Sequence, residues 1–245
     1  MDAENREAST LDEYLNSTAQ WRTDLHTHEG TLLSHEESIH LFDELNVGMT
    51  PELKKAMVPL PFDGDYTRKQ QADQMLQEYR DANIDPSRVW PQSFENDDIE
   101  HWIRTAPEFA SQVVYLDDRY TGWRFNPLKP SSWKPSMTKL KEQGVQYLAP
   151  PLWVLITLDK DGSIVPSPYA KAAAAADLKL IPWSLESSGP LQENNGGWYY
   201  QSVKQAIEDD GDILRVLDVL GRDVGVAGVF SDWPATTSFY AHCRL

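Results

Sequence analysis

The sequence predicts an α/β fold in which a parallel sheet is wrapped by helices, arranged as part of a (β/α) barrel. Three observations predict it. Six short apolar runs alternate with helix-like segments, which is the signature of βα units. Few of those runs alternate strictly between polar and apolar residues, so most read as strands buried on both faces, as in a parallel sheet. Three long insertions rich in Pro, Gly, Trp or Asn (58–66, 119–136 and 187–200) follow strands, where the loops of a barrel gather on one face.

The strands are read at 46–53, 88–94, 112–118, 145–152, 178–186 and 226–232. Before the first lies "SHEESIHLFDEL", where Ser34 and Glu37 form a capping box and Ile39, Phe42 and Leu45 an apolar stripe at helical spacing. "YTRKQQADQMLQEYRDA" and "NDDIEHWIRTAPEFA" are amphipathic helices, the second with Asn96 or Asp97 as its cap. "SPYAKAAAAADL" is a small-residue helix with Pro168 in its first turn. "QSVKQAIEDD" and "DILRVLDVLGRD" supply the last helical layer. An eight-stranded barrel needs two strands more, and the N-terminal residues contain no apolar strand. The domain organisation read from this is a connecting segment, partly disordered, over 1–33 and a single partial barrel over 34–245.

A net charge of −16 argues against non-specific binding to nucleic acid, which relies on Lys and Arg to neutralise phosphates. It argues more weakly against docking on anionic membranes. It leaves a phosphate substrate open, because a metal ion reverses the local field. The lone Cys243 excludes an intrachain disulfide. No run approaches the ~20 apolar residues of a membrane helix, so no stable membrane insertion is expected. The acidic start lacks the apolar core of a signal peptide. The chain is therefore cytosolic, or its targeting segment is missing.

The densest set of metal-ligating side chains is "RTDLHTHEG" (22–30), with His26 and His28. An amidohydrolase-type metal site would set these on a buried strand and add later histidines and an Asp on successive strands. The residues before them, "STAQWRTD", are polar, and four of the six histidines fall within 15 residues. A solvated loop is the preferred reading, with the metal hydrolase as the lesser alternative.

"VGMTPELK" (47–54) is more informative, because Glu52 and Lys54 share one face of a strand end. A carboxylate beside an ammonium suits a metal-bridged phosphate, and equally a plain salt bridge. Taken with "VWPQSFENDDI", "IPWSLESSGPL" and "GVAGVFSDWPATT" in that order, it resembles the glycerophosphodiester phosphodiesterase family over about residues 20–243. The resemblance implies a TIM barrel and metal-dependent hydrolysis of glycerophosphodiesters to glycerol 3-phosphate and an alcohol. It implies Ca²⁺ or Mg²⁺ as cofactor, Glu52 as a metal ligand, Lys54 as a phosphate contact and Trp183 as an aromatic residue lining the pocket. Gln92 and Phe94 are read as filling the barrel.

The family's His-Arg-Gly and Glu-x-Asp segments, which belong to barrel strands one and two, are absent, so the six strands correspond to three to eight. The expectation is a chain with little or no phosphodiesterase activity alone, or a non-catalytic glycerophosphodiester-binding or regulatory remnant. Open sheet edges at 46–53 and 226–232 are expected to favour self-association. Secretion or a periplasmic location is expected if the missing part carried a signal.

Overall fold

The computed structural model describes residues 8–16, 31–61 and 64–244. The chain divides into two units, Met1–Leu32 and Leu33–Leu245. The first contains a short helix, α1 (Leu11–Asn16), within what the sequence reading took as a connecting segment. Thr10 Oγ1 accepts the Glu13 N–H at 3.1 Å, and the Glu13 carboxylate accepts the Ser9 and Thr10 N–H groups in return. First-turn donors that would otherwise be orphaned are thereby satisfied. Residues 1–7 and 17–30 of the expected connecting segment lie outside the described residues.

In the second unit, α2 (His35–Glu44) and α3 (Arg68–Asp81) precede β1 (Gln92–Ser93) and α4 (Asn96–Thr105). Then come β2 (Val114–Leu116), α5 (Met137–Glu142), β3 (Tyr147–Ala149) and the single turn α6 (Leu152–Leu155). A hairpin of β4 (Ile156–Leu158) and β5 (Ile164–Pro166) leads to α7 (Pro168–Ala175) and β6 (Lys179–Leu180). The chain ends with α8 (Leu191–Asn194), α9 (Asp212–Asp218) and α10 (Pro234–Arg244).

Strands β1, β2, β3 and β6 lie side by side in that order, all parallel. Gln92 is opposite Val114, Val114 opposite Tyr147, and Tyr147 opposite Lys179. Segment 49–53 extends one flank: the Met49 N–H donates to Arg88 O at 2.8 Å and the Gln92 N–H to Pro51 O at 2.9 Å. Segment 226–230 extends the other, where the Ala227 N–H donates to Leu180 O at 2.8 Å and the Phe230 N–H to Pro182 O at 2.9 Å. Six parallel segments thus follow one another in chain order, as in a (β/α) barrel. Among the described residues the barrel does not close. The two flanking segments instead line one cavity of about 290 Å³ together with Trp90, Tyr147 and Ile181.

Both faces of the sheet are apolar, which is why its strands lack alternation in sequence. Val114, Leu116, Tyr147 and Ala149 point to the inner face, against Trp90, Phe94, Ile181, Trp183 and Phe230. Tyr115, Leu148 and Leu180 point outward into the core shared with Ile99, Trp102, Leu140 and Ala173 of the helices.

Helix starts follow the sequence where capping side chains are free to act. Ser34–Glu37 and Thr67–Gln70 form capping boxes, and Ser167 caps α7 with Pro168 in its first turn. At α4 the reading is corrected: Glu95 holds the cap position without a side-chain bond. Asn96 bonds Glu100 at 2.9 Å, and Asp97 is not the cap. The stripe on α2 is corrected too. Only Ile39 is buried, while Phe42 and Leu45 stay exposed, because α2 packs against α3 along one flank only. "QSVKQAIEDD" forms a 3-10 turn at Lys204–Ala206 instead of a helix. Val203 is buried with φ −132°, outside the helical region. Helices α5 and α10 and the β4–β5 hairpin were not read from sequence. The hairpin's signal was Asp161-Gly162, with Gly162 at φ +82°. No helix of the described residues is long and apolar enough to cross a membrane.

Candidate functional site

Because the strands are parallel, the loops that follow them emerge at one end of the sheet. Segment 49–53 delivers Glu52 and Lys54 there, with Lys54 Nζ 3.6 Å from Glu52 Oε2; the Lys54 side chain is 80% exposed and that of Glu52 25%. The two share a face, as their spacing requires.

Their backbone is held from below by Arg68 of α3. Its Nη2 donates to Leu53 O at 2.8 Å and its Nη1 to Lys54 O at 2.5 Å. The same guanidinium pairs with the buried Asp98 at 2.6 Å, and Ser93 Oγ donates to Asp98 at 2.7 Å. Arg68, Asp98 and Ser93 thus tie the Glu52 strand end to β1 and α4. Sequence reading missed this clamp. Its one local trace is a second aspartate in the first turn of α4 that is not its cap.

Trp183 follows β6 and is half-buried. Its Nε1–H donates to Ala149 O at 2.8 Å. Its ring stacks on Trp198 at 6.0 Å and meets Phe94 and Tyr120 edge-on at 5.9 Å. Trp153 and Tyr199 complete this aromatic wall, in contact with Trp198 at 5.9 and 4.9 Å. Three of these six rings, Tyr120, Trp198 and Tyr199, come from the insertions 119–136 and 187–200, whose aromatic content is the signal for them. Phe94 therefore lines the wall as well as the inner core. Gln92 is buried, its Nε2 donating to Thr50 O at 3.4 Å.

Two carboxyl groups at this end are held above their ordinary range. Burial raises Glu186, whose oxygens accept from Ser231 Oγ at 2.8 Å and the Asp232 N–H at 2.9 Å. This fastens the β6 loop to the end of segment 226–230. Burial, with the neighbouring charges of Asp117 and Glu95, raises Asp118. Below it Asp117, Arg119 and Tyr169 form a buried network, with Arg119 Nη2 2.7 Å from Asp117 and 2.8 Å from Tyr169. Burial pushes the Tyr169 hydroxyl far up, so it stays a protonated donor to Asp117.

The expected divalent cation needs several oxygen donors gathered in one place. Among the described residues no group of three or more His, Cys, Asp or Glu side chains is placed to hold a metal ion. Glu52 has an ammonium as its near neighbour, whereas Ca²⁺ takes 6–8 oxygens. The described donor set does not fit the cation. His26 and His28 lie outside the described residues. Three of the other four histidines have helix partners: His35 bonds Glu78 and Tyr79, His101 bonds Asp73, and His242 bonds Ser238. His40 is exposed on α2.

The parallel sheet in barrel order is similar in fold to solved glycerophosphodiester phosphodiesterases. A glycerophosphodiester phosphodiesterase from Parabacteroides distasonis superposes with a TM-score of 0.53 over 85% of this chain, at 18% identity. A protein from Agrobacterium tumefaciens, described as belonging to the same enzyme class, superposes with a TM-score of 0.55 over 86% of this chain, at 13% identity. The chain spans 63% and 65% of the length of these two structures. No family model matches the sequence. An Arthroderma benhamiae protein described as extracellular is 47% identical over 246 residues, covering 99% of both chains. The chain belongs to the family of that fungal protein.

Proposed function

We propose that this chain is a glycerophosphodiester-directed member of the phosphodiesterase fold, which binds its ligand at the C-terminal end of the sheet and hydrolyses it slowly or not at all by itself. The observation that carries this reading is the emergence of Glu52, Lys54 and the Trp183 wall at the same end of a sheet with that fold. Lys54 supplies an ammonium for a phosphate oxygen. Trp183 and Trp198 offer apolar ring surface for the glycerol or the esterified alcohol. Glu52 opposes the phosphate unless its charge is offset, and Lys54 offsets part of it.

Hydrolysis needs one proton taken from a nucleophile and one given to the leaving alkoxide, each step worth ~10²–10⁴-fold in rate. Among the described residues no histidine bonds to a strand-end residue, and no cation cage exists to replace that chemistry. Binding without efficient turnover follows. The location proposed is outside the cell, in keeping with the description of the fungal relative.

The test is calorimetric titration of the purified chain with glycerophosphocholine, alongside release of glycerol 3-phosphate with Ca²⁺ or Mg²⁺. Saturable binding weakened by Lys54→Ala, without robust turnover, is the expected result. Rapid metal-dependent turnover would overturn the inactive part of the reading, and no binding would overturn the whole. The lesser alternative, a metal hydrolase on His26 and His28, requires stoichiometric zinc that is lost in His26→Ala.

A further inference from the structure

Loop 119–136 carries four basic residues, Arg119, Arg124, Lys129 and Lys134, and no acidic one, in a chain whose net charge is −16. Its inner side is fastened. Arg119 is spent on Asp117 and Tyr169, Phe125 packs on Trp153 and Tyr169 at 6.2 Å, and the buried Trp133 donates to Asn126 O at 2.7 Å. Its outer side is the reverse. Trp123 is 85% exposed and Leu128 51%, and the Arg124 guanidinium sits 4.2 Å over the Trp123 ring. Arg124, Lys129 and Lys134 have no ion pair among the described residues. A cavity of about 440 Å³ in the loop is lined by Thr121, Trp123, Arg124, Ser132 and Lys134, with Asp118 its one carboxylate.

We propose that this loop docks the protein on an anionic lipid surface, with a headgroup phosphate seated between Arg124 and Lys134 and with Trp123 and Leu128 entering the interface. A tryptophan with one wet and one apolar side belongs at that depth. Each Lys or Arg near an anionic leaflet is worth roughly five-fold in partitioning. The three unpaired cations together then supply about a hundred-fold. Charges further away than the Debye length of ~8–10 Å are screened. The overall negative charge therefore orients the molecule loop-first instead of preventing contact. The loop follows β2, so docking would turn the Glu52–Trp183 end toward the lipid. The inference stands apart from the ligand reading above, since it rests on the loop alone.

The test is flotation of the full chain with phosphatidylcholine vesicles, with and without phosphatidylglycerol. The expected result is partition onto the anionic vesicles at low ionic strength and its loss at high salt. Arg124→Glu with Lys134→Glu is expected to lower it by about 25-fold or more, from two charges at roughly five-fold each. Trp123→Ala is expected to lower it as well, while Lys139→Glu on α5 leaves it unchanged. No flotation of the native chain, equal flotation of the loop variants, or an equal loss in Lys139→Glu would each overturn the proposal. Two further outcomes would reassign the loop and overturn docking. Inorganic phosphate that abolishes vesicle binding while Trp123→Ala retains it marks a free-anion site, and Trp123-dependent self-association without flotation marks a protein contact. Glycerophosphocholine titration of the same variants separates the two readings, because docking can fail while that binding persists.

Discussion

Arg68→Ala tests whether a helix residue sets the geometry of the strand end bearing Glu52 and Lys54. The native guanidinium bonds two carbonyls of that strand and the buried Asp98, while about a quarter of its own side chain is exposed. Deleting one partner of a buried ion pair costs ~3–5 kcal/mol, because the other charge is left unpaired. The exposure of Arg68 and the Ser93 hydroxyl still bonded to Asp98 reduce this to about 2–3 kcal/mol. At about 2–4 °C per kcal/mol for a chain of this size, the melting midpoint falls by roughly 5–10 °C. Asp98→Ala removes the orphaned charge. The double variant should therefore cost about 1–2 kcal/mol less than the two single costs added. Urea denaturation of the native chain, both single variants and the double variant measures that coupling. Glycerophosphocholine titration of the same proteins reports whether affinity falls once the Leu53 and Lys54 carbonyls lose their donor. Additivity within ~0.5 kcal/mol, or a cost below about 1 kcal/mol for Arg68→Ala, would refute the clamp.

Glu186 gives a pH signature. Its carboxyl is raised above the ordinary glutamate value of 4.5, so what it adds to stability is whole below about pH 4.5 and drains as pH rises through the folded value. Glu186→Gln should remove that decline. The difference between native and variant stability, followed by urea titration from about pH 4 upward, should shift against the native chain; a pH-independent difference would count against the assignment. Trp183→Ala should cost about 2–4 kcal/mol, less than full burial would give, and should weaken glycerophosphocholine binding. Unchanged affinity would remove Trp183 from the site. The flanking segments expose strand edges that can pair with another chain, so the native protein should self-associate in sedimentation and Thr50→Lys should shift it toward monomer. A monomeric native chain with cooperative unfolding would contradict that.

The parts of the fold legible in sequence are those written in contiguous residues. The capping pair Ser34–Glu37 lies one turn apart, and six apolar runs mark all six parallel segments. The reading failed where a distant contact outbid a local preference. Val203 leaves the helical region while its side chain is buried, and Phe42 and Leu45 make a helical stripe that stays partly exposed. The β4–β5 hairpin carries a local signal in its Asp161-Gly162 turn, but the longer apolar run ending at Leu152 is the stronger strand pattern beside it.

The site divides along the same line. Glu52 and Lys54 are two residues apart on a strand, so period-two geometry puts them together and the structure does so at 3.6 Å. Arg68, Asp98 and Ser93 cannot be assembled by any local period. The link from Ser93 to Leu53 spans 40 positions and that from Arg68 to Asp98 spans 30. The Glu186 tie to Ser231 spans 45. Closure of the sheet is less local still, since it asks two segments about 180 residues apart to meet at matching tilt and stagger. Here segments 49–53 and 226–230 reach the same cavity without bonding each other. Each strand can therefore satisfy its own sequence while the barrel stays open. The proposed reading, binding without efficient turnover, rests on that difference: ligand contacts made by single loops need no complete ring of strand ends, whereas chemistry shared among all the strand ends does.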